Sequence, residues 1–474
     1  MTRSTRYRYG WLMAMAPAVL PATSAAGDSL MDAITKGKVD FYARLRYEHV
    51  EDDGFARVPA PPIAGVRLED ADALTLRSAL GYTTGLFHGF GAALQFEDVR
   101  ALIGDYNDGS LTAAGNGLDS DARYATVVDP EGTEVQQANI RYEGFPYTVI
   151  RAGRQEIEHR QAPLHRYVGN ILWRQNWQTF DAVRVTTALL PDVDTGDRRL
   201  KLDYAYTWNV NRIFGEDNDL PDRSDYPMSS HLFKANWDGF SLVKLEGYVY
   251  SLDFDHADSA TIGTLSNASF GLSTNTVGLR GEGGKGLGRD WKLLYTGEFA
   301  HQMDAYDTPE DISVNYYFIE GGLAYTVGRK WLDAITVKAG YEVLEGDGAV
   351  NGVRRSFQTP LGTNHAFQGW ADKFLVTPGD GIRDLFFTLR GGVYGANVML
   401  MYHDYTSDNL DYDYGSEWNV VAEKPIAKHW MVGAKYASYD ADDNPTNLAR
   451  NATNGGVGQG FDRDILWAYA QFRW

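Results

Sequence analysis

Arginine, lysine, aspartate and glutamate recur at every second position along several stretches of this chain. In Val39–Glu48, the polar residues Asp40, Arg44, Arg46 and Glu48 share one parity, and Val39, Phe41, Ala43, Leu45 and Tyr47 share the other. The same spacing gathers Arg77, Arg141, Lys201, Lys244, Arg280, Lys292, Lys338 and Arg390 on the polar side of other stretches, with Asp203, Glu246, Glu298, Glu320 and Glu342. Arg154, Asp181 and Arg184 fall where charge occurs on both parities. Guanidinium and ammonium groups along a wall bind carboxylates by charge-assisted hydrogen bonds. Rings of Lys or Arg favour anions in a pore. The chemistry implied is reversible binding.

Bond-making chemistry finds little support. The chain has no cysteine, which removes thiolate ligands and a thiol nucleophile. Its ten histidines include no His-x-x-x-His pair for zinc. No Ser/His/Asp set stands out, which argues against a lipid-acting barrel enzyme. Gly281–Gly288 is rich in glycine, but it reads as a turn without a following helix, unlike a phosphate cradle. We expect no enzymatic activity, no metal and no cofactor.

The elements that carry the charged residues read as strands, because period-2 alternation gives one wet face and one apolar face. About 18 such stretches run from residue 39 to residue 474, each near the length a tilted strand needs to cross a bilayer. Their connections alternate. Gly85–Gly89, Glu143–Pro146, Gly284–Gly288 and Lys424–Lys428 are short, whereas Glu51–Ala71, Leu102–Thr133, Glu158–Trp177 and Gly346–Gly381 are long. The expected fold is all-β: a transmembrane antiparallel β-barrel of about 18 strands with short periplasmic turns and long extracellular loops. Aromatic residues crowd the short turns (Phe90, Tyr142, Tyr147, Trp291, Trp331, Trp430), and Trp208, Phe299, Tyr341 and Tyr436 form a second set. Two such sets suit interfacial girdles. The C-terminal stretch ends on Phe472 and Trp474, like the last strand of outer-membrane proteins.

Residues 1–26 read as a secretory signal, with Arg3, Arg6 and Arg8 before a short apolar run and Ser24-Ala25-Ala26 at the cleavage point. Residues 27–474 then form the barrel, in the bacterial outer membrane, surrounded by lipid and lipopolysaccharide. The formal net charge is −19, so nucleic acid is excluded as a partner. Wall cations and wall acids nearly balance, which leaves the negative excess to the loops.

Two stretches break the pattern. One runs through Arg151-Ala-Gly-Arg154-Gln155 and Trp173-Arg-Gln-Asn-Trp177 to Phe180-Asp181-Ala-Val-Arg184, as a strand pair partly shielded by loops. The other is the aromatic loop Phe357–Phe374, with Asn364, His365, Trp370 and Asp372 as candidate contacts; long barrel loops of this kind fold inward. These stretches resemble the alginate export family of outer-membrane proteins in Gly153-Arg154-Gln155, Trp173-Arg174-Gln175, Phe180-Asp181-Ala182, Pro360-Leu361, Asn364-His365 and Gly369–Asp372. The resemblance implies an 18-stranded barrel with an electropositive path for a uronate polymer, and it carries over Arg154, Asp181 and Arg184. The short turn Lys424–Lys428 departs from that family, whose members close the periplasmic mouth there. Leu102–Thr133 is long enough to act as an outer plug. The expected function is a channel for an anionic saccharide or polyuronate, working down a gradient or with a periplasmic partner. The alternative is an uptake porin for small organic anions, or a less selective porin.

Overall fold

The computed structural model describes residues 29–54, 67–109, 123–162, 164–191, 198–216, 224–255, 273–308, 310–350, 353–442 and 460–474. The expected signal segment and residues 110–122 of the expected outer plug lie outside them. A six-residue helix, α1 (Leu30–Thr35), comes first. Strands β1 (Lys38–Asp52), β2 (Ala71–Thr83), β3 (Phe90–Asp105), β4 (Gly132–Tyr142), β5 (Thr148–Gln155) and β6 (Thr179–Pro191) follow. Then come β7 (Arg198–Asn211), β8 (Asp225–Trp237), β9 (Val243–Leu252), β10 (Thr274–Leu287), β11 (Trp291–Asp304), β12 (Ser313–Thr326) and β13 (Leu332–Leu344). A short hairpin, β14 (Gly346–Val350) and β15 (Val353–Ser356), precedes β16 (Ile382–Val393), β17 (Ala396–Thr406), β18 (Asp413–Ala427), β19 (Trp430–Ala441) and β20 (Arg463–Arg473).

Apart from the β14–β15 hairpin, these strands form one 18-stranded antiparallel sheet. Each strand pairs with the next, β13 pairs with β16, and β20 pairs with β1, which closes the barrel. At the seam Phe41 and Trp474 exchange backbone hydrogen bonds of 3.1 and 2.9 Å. Closure follows from the solvent: hydrocarbon offers no partner to a backbone N–H or C=O, so an open edge is very costly there.

Alternation sorts the two faces. On β2, Ala71, Ala73, Thr75, Arg77 and Ala79 are buried towards the lumen, while Leu80 is 56% exposed on the outside. Exposed Phe90, Tyr147, Trp291, Trp331 and Trp430 ring one end, and Trp208, Phe299, Tyr341 and Tyr436 ring the other. Among the described residues no helix is long and apolar enough to cross a membrane; the strands do that.

Several boundaries differ from the sequence reading. Strand β10 continues through the glycine-rich stretch to Leu287, and β18 continues to Ala427, so both turns are tighter than expected. Cross-strand pairing extends these hairpins beyond the point where alternation fades, because the ladder bonds are made by backbone. Strand β5 is the shortest barrel strand, with eight residues. It carries Gly153 at φ +114°, where a Cβ would stand 2.4 Å from the Ala138 carbonyl oxygen, so only glycine fits.

Candidate functional site: a lumen bridged by two loops

The low wall at β5 lets the following segment, described over 156–162 and 164–178, turn into the lumen, where it meets a second inward loop, described over 345–350 and 353–381. Ile157, Arg166, Trp173, Gln175, Phe357, Leu361 and Ala371 are all buried. The two loops bond to each other: Gly169 N–H donates to the Leu361 carbonyl at 3.0 Å, and Thr363 N–H to the His165 carbonyl at 2.7 Å. A loop buried this way needs a partner for each of its polar groups, and the wall supplies many of them.

The supply runs in both directions. Wall arginines hold loop carbonyls. Arg44 donates to the carbonyls of Leu172 (2.8 Å), Trp173 (2.9 Å) and Arg174 (2.5 Å) and to the Gln175 side chain (2.8 Å). Arg46 donates to the Trp173 carbonyl and to Asp129, and Arg77 to the Gln175 carbonyl and to Glu97. Conversely, loop arginines reach wall carboxylates. Arg160 bonds Glu246 and Glu298, each at 2.6 Å; Arg166 stands 3.1 Å from Glu342; Arg174 reaches Glu48 at 3.4 Å and also Asp372 of the second loop at 2.6 Å. Arg44, Arg46 and Arg77, taken from parity as cations facing a solute, are therefore buried structural clamps.

The aromatic loop candidates converge on one wall lysine. His365 is stacked on Trp173 with ring centroids 5.0 Å apart. Its Nδ1 donates to Asp372 at 2.6 Å, and its Nε2 accepts from Lys435 Nζ. The same Nζ lies 4.1, 3.9 and 5.0 Å from the ring centres of Trp173, Trp370 and Trp467. Glu417 accepts from the backbone N–H groups of Trp370 (2.5 Å) and Ala371 (2.8 Å), and Asn364 caps the loop by donating to the carbonyl of Leu375 at 2.8 Å. Burial holds the His365 imidazole down at about 3, and Lys435 adds to this against the opposing pull of Asp372.

Five strands round the barrel from β19, strand register builds a row of arginines. Arg141 of β4 lies opposite Arg151 of β5, and Arg151 lies opposite Arg184 of β6. All three share the lumen parity, since Ile140, Ala152 and Val183 lie between them on the outer face. Arg184 binds Asp203 through Nε at 2.9 Å and a second nitrogen at 2.5 Å, and Arg141 is 2.8 Å from Glu143. Arg151, between them, forms no ion pair with a described residue, and its Nε has no hydrogen-bond partner. Just beyond the end of β5, Glu156 accepts from Gln136 at 3.0 Å, and burial pushes its carboxyl up to about 7.

The other sequence-derived positions are dispersed. Arg280 pairs with Glu298 (2.8 Å), Lys338 with Glu320 (2.7 Å), and exposed Lys201 lies 3.6 Å from Asp238 at the periplasmic rim. Lys244 is exposed, and Lys292 and Arg390 are half-buried. Arg154 and Asp181 do pair, at 3.1 Å, but Arg154 lies opposite exposed Ala138, and Asp181 shares the parity of outward-facing Val183. That pair therefore belongs to the outer face of the wall, near its extracellular rim, and not to the lumen as expected. The sequence reading also missed Arg151, Arg160 and Arg166 as site residues. A period-2 rule assigns no side to a loop residue, and Arg151 was obscured by the mixed parity around the Gly153 irregularity.

Among the described residues one potential metal group occurs, His49, Glu51 and Asp70, with ligand atoms within 4.8 Å of one another at the extracellular rim. His49 is already engaged by Asp72 (3.0 Å) and Glu51 (3.2 Å).

No family model and no curated protein matches the chain. Solved structures do. Acinetobacter baumannii OccAB1 aligns with a TM-score of 0.62 and 10% identity, covering 95% of this chain and 99% of that one. Pseudomonas aeruginosa OccD3 (OpdP) aligns with a TM-score of 0.58 and 13% identity over 95% and 94%. Pseudomonas aeruginosa OccK9 (OpdG) gives 0.59 and 12% over 93% and 100%. These neighbours are outer-membrane porins. The chain is thus an 18-stranded antiparallel β-barrel of the bacterial outer membrane, with the architecture of a channel. The resemblance to alginate exporters extends to this barrel architecture, and no family match carries it further.

Proposed function

We propose that this protein is a selective uptake porin for small organic anions, with carboxylates as the expected solutes. The observation that carries the reading is Arg151: a lumen-facing guanidinium, flanked in register by Arg141 and Arg184, that forms no ion pair with a described residue and whose Nε has no hydrogen-bond partner. Like charges on adjacent strands repel, and an entering carboxylate relieves that repulsion with a bidentate hydrogen bond. Glu156, largely neutral below pH 7, leaves the row positive. The size of the solute is argued from the loops. Two bonded segments packed across the lumen favour a small molecule over a folded or bulky polymer. The likeness to Occ porins supports the same choice. Passage down a gradient accounts for transport, with membrane lipid and lipopolysaccharide as the barrel's surroundings.

The test is reversal potential in a salt gradient across planar bilayers, with glucuronate and polymeric alginate added in turn. Anion preference, block by the monomer and loss of that block in Arg151→Ala are expected. Cation preference, or block by polymer alone, would reject the proposal.

A further inference from the structure

Helix α1 stands apart from the transport path. Ser29 starts it by accepting the Asp32 N–H at 3.0 Å, a capping arrangement that fixes even a short helix. Lys36 and Asp32 pair across one turn at 3.2 Å. At about 100° per residue, Leu30, Ile34 and Met31 fall within one arc, and Asp32 and Lys36 fall opposite. Leu30, Met31 and Ile34 are 57, 65 and 46% exposed.

The attachment of α1 shows which side of the wall it occupies. Gly85 N–H donates to the Ala33 carbonyl at 2.8 Å, and the Tyr82 hydroxyl donates to the Ile34 carbonyl. Tyr82 lies opposite exposed Val39 and shares the parity of Leu80, so it belongs to the lipid-facing surface. The helix therefore rests outside the barrel at its periplasmic end and does not cover the lumen mouth. Beside it runs an aromatic belt. Phe90 is exposed and packs on Tyr142 with centroids 4.6 Å apart, and Tyr142 meets Phe145 at 5.3 Å.

We infer that α1 is an interfacial anchor whose Leu30, Met31 and Ile34 insert into the periplasmic leaflet of the outer membrane. The occupant of this apolar face follows from continuity: the face extends a surface that already meets lipid, and its charged pair points the other way, as in helices that lie in the plane of an interface. The anchor ties the start of β1 to the membrane, independently of which solute the barrel carries.

The absence of cysteine makes the test direct. A nitroxide placed at Met31→Cys, with the barrel in phosphatidylethanolamine–phosphatidylglycerol vesicles, reports collisions with oxygen and with a water-soluble nickel chelate. The label at 31 is expected to favour oxygen, as a label at Leu80→Cys on the lipid face does, while a label at Lys36→Cys favours nickel. A label at 31 that matches the one at 36 overturns the anchor. Dipolar broadening that disappears on dilution with unlabelled protein would assign the face to a second copy and overturn it equally.

Discussion

Lys435 Nζ stands 2.5 Å from Nε2 of His365, joining barrel strand β19 to a loop that crosses the lumen. The contact fixes the tautomer: Nδ1 carries the proton that Asp372 accepts, and Nε2 is the acceptor. One lysine thus holds three tryptophans and a histidine from three parts of the chain in one cluster.

Replacing that lysine should loosen the bridge across the lumen. Lys435→Met removes the donor to His365 and two close ring contacts, each worth about 0.5–2 kcal/mol. A larger single-channel conductance and an earlier heat-induced mobility shift of the barrel are expected. A variant with both unchanged would show that the cluster does not restrain the loop.

Acid should act on the same cluster. A released His365 titrates near 6.5, and the docked residue is held at about 3 by burial. The docked state then binds fewer protons, so its stability is full above pH 6.5 and declines as pH falls from there towards 3, with a limiting slope of about 1.4 kcal/mol per unit. Protease cleavage within residues 345–381 should increase over that window. His365→Gln should flatten the response, and an equally steep response in that variant would place the sensor elsewhere.

A different pH effect is expected on selectivity. Glu156 titrates at about 7, and Arg184 donates to its backbone carbonyl at 3.4 Å. Between pH 6 and pH 8 the new carboxylate charge competes with a solute for the arginine row. Block by glucuronate should weaken by roughly fivefold, equivalent to about 1 kcal/mol. In Glu156→Gln the block constant should hold steady across that range; a persistent change would remove Glu156 from the account.

Two arginines should separate structure from transport. Arg77 is wholly buried with Glu97 and the Gln175 carbonyl. Arg77→Ala leaves that acid unpaired, at a cost of about 3–5 kcal/mol, and should reduce the yield of heat-resistant folded barrel. Arg154→Ala, on the outer face, should leave the reversal potential as it is. A changed potential would return Arg154 to the conducting path.

The contrast between those two arginines marks what the sequence could reveal. Alternation on β1, β2 and β20 told lipid from lumen correctly, because in a closed sheet each side chain has only two directions available. It could not tell a solvated lumen residue from one sealed under a loop. Arg44 and Lys201 look alike by parity, yet one is clamped to four acceptors and the other is exposed at a rim. At Arg154 the direction was misjudged because it was carried over from the resemblance; counting by two from exposed Ala152 turns it outward. The inward loops were suggested by aromatic density at Phe357–Phe374, but their partners depend on pairs such as Arg166 and Glu342, far apart in the chain and brought together only by closure.

The bond between Phe41 and Trp474 limits how such a molecule can change over generations. First and last strands meet head to tail, so losing one strand would force those neighbours into parallel alignment, and every lumen charge beyond the deletion would need a new register. Keeping that seam antiparallel requires gains and losses to come as whole hairpins, two strands with their turn. Under that condition the ring changes size in steps of two, while loops can lengthen by single residues.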